Sequence, residues 1–93
     1  MSFKRCVAEL RFDHQDWSAL VATRWCEQLG YHSSMAGTSE GHFVFPQPGD
    51  TNNRGVWFLP DGVKGLRMLI DIAAAGIIAG TIESNASANG PVR

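Results

Sequence analysis

Histidine and cysteine are the residue types in this chain best suited to chemistry. It has three histidines, His14, His32 and His42, and two cysteines, Cys6 and Cys26. Imidazole and thiolate together are the commonest ligand set for zinc, but that metal needs close, regular spacing. There is no C-x-x-C and no H-x₃₋₅-H, so no metal site is expected. The cysteines are read instead as small hydrophobes, Cys6 on a strand face and Cys26 at the edge of a helix stripe. Two thiols are too few for a disulfide scaffold and fit a reducing compartment. With no apolar leader in Met1 to Arg11, the expected location is cytoplasmic.

Two other segments invite a chemical reading. Gly62-Val63-Lys64-Gly65 follows a strand pattern, and amides at a helix start beside a lysine can hold phosphate. The spacings of the known phosphate loops are absent, and Asp61 would repel an anion, so a helix entry is expected there. Trp17 and Trp25 share one helical phase and could line a pocket, although that phase is also what a core stripe needs. No cofactor is implied by any of these patterns.

The elements that must position these residues follow from periodicity. Phe3 to Phe12 alternates, with Cys6, Ala8, Leu10 and Phe12 on one face and Arg5, Glu9 and Arg11 on the other, as in a half-buried strand. A helix capped by Asp13 or Asp16 is expected to run to Leu29 with the stripe Trp17, Leu20, Val21, Trp25 and Leu29, closed by Gly30. Tyr31 to Glu40 is polar, either loop or edge strand. His42 to Phe45 and Val56 to Leu59 are strands, each ended by a proline, and the turn-rich Gln47 to Arg54 reads as a hairpin connection. Asp61 is expected to cap a second helix over residues 63–75, although Leu66, Met68, Ile70 and Ile72 also alternate as a strand would. A last strand spans Ile77 to Ile82. The expected organisation is one α+β domain over residues 1–83 with a polar tail over 84–93. The expected fold is a ferredoxin-like βαββαβ sandwich, an antiparallel sheet with two helices on one face.

Composition sets the outer bounds. In 93 residues, 44% are hydrophobic and 18% charged, with three tryptophans and a net charge of −1. This excludes a disordered chain and does not suit a basic nucleic-acid binder. The apolar excess concentrates in one region. Phe43, Phe45, Val56 and Phe58 alternate with Val44, Trp57 and Leu59, so both faces of the presumed hairpin are apolar. An open sheet face is normally polar at every second residue. A covering partner is therefore expected, first a second copy of the chain packed sheet on sheet, with a small apolar ligand as another cover. On this reading the protein is a binding module rather than an enzyme, and its surface is Phe43, Val44, Phe45, Val56, Trp57, Phe58 and Leu59.

A second reading comes from resemblance. Leu29-Gly30-Tyr31, then Gly41-His42-Phe43-Val44-Phe45 with Pro48 three residues on, then Leu59-Pro60 and Ala75-Gly76-Ile77, resembles the HicA-like mRNA interferase toxins. The match lies within residues 29–77. The resemblance implies RNA as partner, with His42 as catalytic general acid/base, a task suited to an imidazole that titrates near neutral pH. It also implies a double-stranded-RNA-binding-like fold (helix, three strands, helix) with Tyr31 to Thr38 as the first strand and an extra strand at the N-terminus.

Overall fold

The computed structural model describes residues 3–76 and 80–82. After a short 3-10 turn, Phe3–Cys6, the elements are β1 (Val7–Asp13), α1 (Ala19–Gln28), β2 (Gly37–Ser39), β3 (His42–Pro46), β4 (Gly55–Pro60), β5 (Leu66–Asp71), α2 (Ile72–Ala75) and β6 (Gly80–Ile82). The expected tail, 84–93, and residues 77–79 of the expected last strand lie outside the described residues. The class is α+β. The strands form one sheet in the order β2-β3-β1-β5-β4-β6, and neighbouring strands pair antiparallel.

That order does not follow the ferredoxin-like arrangement, and it does not give the three adjacent strands of the double-stranded-RNA-binding-like alternative. The reason lies in β5. Residues 63–75 were expected to be a helix, but Leu66–Asp71 is a strand and only Ile72–Ala75 makes a helical turn. As a strand, the segment turns Leu66, Met68 and Ile70 inward, each at most 3% exposed. It also gains hydrogen-bonded partners on both edges, β1 and β4. That combination outweighs the helical preference of the alanines at its end. Asp61 accordingly caps no helix; it sits in the loop that joins β4 to β5, where Val63 N–H reaches Pro60 O at 3.4 Å.

With β1 and β5 side by side in the middle, β3 and β4 cannot form the expected hairpin. They lie three strand spacings apart, about 14 Å. Residues 47–54 must therefore cross the ends of two strands. Gly49 makes this possible by passing so close to β1 that a Cβ there would overlap the Val7 backbone. Gln47 N–H donates to Ala8 O at 2.9 Å, and Asp50 N–H to Arg5 O at 2.9 Å.

Asp71 fastens the far end of the crossing. Its carboxylate is 4% exposed and accepts from Ala73 N–H at 2.8 Å, Asn52 Nδ2 at 3.1 Å and Arg54 Nη2 at 3.2 Å. Ile72 N–H also donates to Arg54 O at 2.8 Å.

The helix α1 is capped by Ser18, not by Asp13 or Asp16. Ser18 Oγ accepts from Val21 N–H at 3.1 Å. Gly30 does end the helix, with φ at 79°. Tyr31 N–H donates to Cys26 O at 2.8 Å and Gly30 N–H to Glu27 O at 3.2 Å, the paired bonds of a Schellman closure.

The side of α1 that meets the sheet differs from the expected stripe. Ala22 and Cys26 are buried, while Leu20 and Val21 are 60% and 53% exposed and Leu29 is also exposed. The space between helix and sheet is filled by Phe12, Trp17 and Phe45 together with the helix's own Trp25, and the small Ala22 and Cys26 are buried on the same helix. In β1 a register shift between Val7 and Glu9 changes the expected phase: Val7 joins Leu10 and Phe12 in the core, whereas Ala8 is half-buried and Cys6 lies in the preceding turn.

The carboxyl of Asp71 is held below its ordinary value of 3.8, first by the Ala73 amide and then by Asn52, with Arg54 adding to them against the opposing effect of burial. A carboxylate whose folded value is depressed stabilises fully above its ordinary value, and the contribution disappears as pH falls through the lower folded value. Asp71→Ala is expected to cost roughly 2 kcal/mol at pH 7 in urea denaturation. Between pH 5 and pH 2, Asp71→Asn should show a shallower loss of stability than the parent chain. Equal slopes would show that this carboxylate does not hold the crossing segment.

Candidate functional site

The strand register divides the seven residues of the expected surface between two faces. Phe45 pairs with Leu10 and Phe43 with Phe12, so both turn toward α1 and the core. Val56 pairs with Ile70 and Phe58 with Met68, on that same side. Phe45 is 0% and Phe58 2% exposed, and Phe43 and Val56 pack against the core cluster. Phe45 and Phe58 are core residues, and Phe43 and Val56 are half-buried beside them on the same side of the sheet.

Val44, Trp57 and Leu59 point to the other face, away from α1. Sequence reasoning missed their neighbours there: Leu69, the register partner of both Glu9 and Trp57, and the charged pair Arg11 and Arg67, which are partners of one another. Leu69 was hidden by the helical reading of its segment. The alternation of Leu66, Met68 and Ile70 was the signal that could have found it.

The open face is a half-buried apolar band crossed by an ion-pair system. Arg11 lies along the sheet with its guanidinium 5.1 Å from the Trp57 ring centroid, an arrangement that attracts a cation to the indole face. Its Nε pairs with Glu9 and its Nη1 stands 3.5 Å from Glu40 Oε1. Like charges directly opposite across two strands repel, and Glu9 and Glu40 offset the Arg11–Arg67 juxtaposition. The Arg11 guanidinium thus covers part of the apolar face at Trp57, and two carboxylates hold it. Beside Val44 a shallow groove of about 220 Å³ is lined by Arg11, Ala36, Gly37, Thr38 and Ser39.

His42 is half-buried at the start of β3, opposite Asp13 in register. It follows the β2–β3 turn, where Glu40 and Gly41 both have positive φ, 51° and 79°, as a two-residue type I′ hairpin requires. His42 Nδ1 lies 3.0 Å from Glu40 O, and His14 Nδ1 lies 3.0 Å from Gly41 O. A carbonyl oxygen only accepts, so in each contact Nδ1 is the donor. His32 is apart from both: its backbone N–H and C=O are bound by the Gln47 side chain at 2.9 and 2.8 Å. Among the described residues, no group of three or more His, Cys, Asp or Glu side chains is arranged to hold a metal ion. Both cysteines are free thiols; burial, followed by the nearby charge of Glu27, pushes Cys26 up to about 11.

Residues 62–65, expected to be a helix entry, are instead a loop leading into β5, and structural contacts occupy them. Lys64 O accepts from Trp17 Nε1 at 2.8 Å, Lys64 Nζ stands 3.6 Å from Asp16 Oδ1, and Gly65 O accepts from Asp13 N–H at 2.7 Å. Trp17 and Trp25 both pack against the core, with ring centroids 6.3 Å apart. Among the described residues, no helix is long and apolar enough to cross a membrane. No family model, no curated protein and no solved structure matches the chain.

Two outcomes follow from this geometry. Arg11→Ala is expected to lower stability by about 1 kcal/mol in urea denaturation, since it removes a ring contact and a partly covered ion pair; an unchanged midpoint would mean that Arg11 does not cover the face. Cys26, buried and protonated at neutral pH, should resist iodoacetamide in the folded protein and react once the chain is denatured. Mass spectrometry of peptides from native and denatured samples reads this directly, and fast native labelling of Cys26 would contradict the burial.

Proposed function

We propose that the protein works by binding, as a homodimer whose two copies pack open sheet face against open sheet face. The observation that carries this reading is the apolar band of Val44, Trp57, Leu59 and Leu69 on the side of the sheet away from α1. Aromatic and aliphatic residues gathered at the centre of a face, with arginine among them, are the usual makings of a protein interface. The charges around the band, Glu9 and Glu40 against Arg11 and Arg67, are balanced in sign. A balanced face suits a partner of the same composition better than a strongly acidic or basic one. A reducing, cytoplasmic setting suits the two free thiols.

Size-exclusion chromatography with light scattering should give twice the chain mass at micromolar concentration. Trp57→Asp and Leu69→Asp should each yield a folded monomer with a native circular dichroism spectrum. Phe45→Asp should unfold the chain, because that side chain is fully buried. A monomeric parent chain at every concentration would overturn the dimer, and a small apolar ligand that protects Trp57 from quenching would replace the second copy as the cover.

A second reading, the HicA-like ribonuclease, is favoured by one observation. His42 Nδ1 donates to the Glu40 carbonyl at 3.0 Å, which orients the ring; Nε2 would then be the nitrogen that takes a proton from an RNA 2′-OH. Expression of the chain alone should then arrest growth, and His42→Ala should abolish both the arrest and cleavage of single-stranded RNA by the purified protein. An intact RNA substrate after prolonged incubation would remove this reading.

A further inference from the structure

We draw no further inference here: the strongest candidate, the exposed apolar outer side of α1 around Leu20 and Val21, is an unpartnered helix face, and nothing in the structure shows what covers it.

Discussion

The packing of one side chain, Phe12, ties the layers of this protein together. It is fully buried in β1, a central strand, and its ring meets Trp17 at 4.7 Å, Phe45 at 5.3 Å and Trp25 at 5.7 Å, each edge to face. Those partners belong to the link before α1, to β3 and to α1 itself. The cluster extends through the stacked pair Trp25 and Tyr31, 5.7 Å apart, to Lys4, which stands 5.2 Å from the Tyr31 centroid. Edge-to-face rings interlock and leave few alternative packings. α1 meets this cluster with one large ring, Trp25, and with the fully buried small residues Ala22 and Cys26.

The central position of β1 has a second consequence. A strand paired on one side with β3 and on the other with β5 separates β3 from β4. The chain must then cross from one side of the sheet to the other in residues 47–54. Such a segment satisfies few of its own backbone groups, so side chains and neighbouring strands must do it. Asp71, Asn52 and Arg54 fasten one end, and the backbone bonds from Gln47 and Asp50 fasten the other. Gln47 also binds both backbone groups of His32, as a neighbouring strand would, and so secures the extended stretch that leads into β2.

The face away from α1 shows how a small sheet tolerates apolar residues in the open. Arg11 sets its guanidinium over Trp57, and its charge is neutralised by Glu9 and Glu40. This arrangement covers part of the band and leaves Val44, Leu59 and Leu69 around it. The His42 turn lies at the rim of the same face, with Asp13 beside it in register. Binding and any chemistry of His42 would therefore share one side of the molecule.

The sequence alone determined the elements whose signals are local. The alternation of Leu10 and Phe12 against Glu9 and Arg11 marks β1. The prolines after Phe45 and Leu59 limit β3 and β4, and Gly30 ends α1, because each of these signals acts through its own φ/ψ limits or side-chain phase. The packing of Trp25 against the core was legible from its helical phase, whereas Trp17 lies before the Ser18 cap and reaches the core from the link to α1. Tertiary structure decided the rest. Leu66–Asp71 carries both a helical and a strand period, and the open edges of β1 and β4 made it a strand. Turn-forming residues at 47–54 mark a change of direction but do not say which strands it joins. That choice belongs to long-range pairing, and it determined which of the seven expected surface residues became core. It also placed Leu69, Arg11 and Arg67, distant or differently read in the sequence, beside Trp57 on one face.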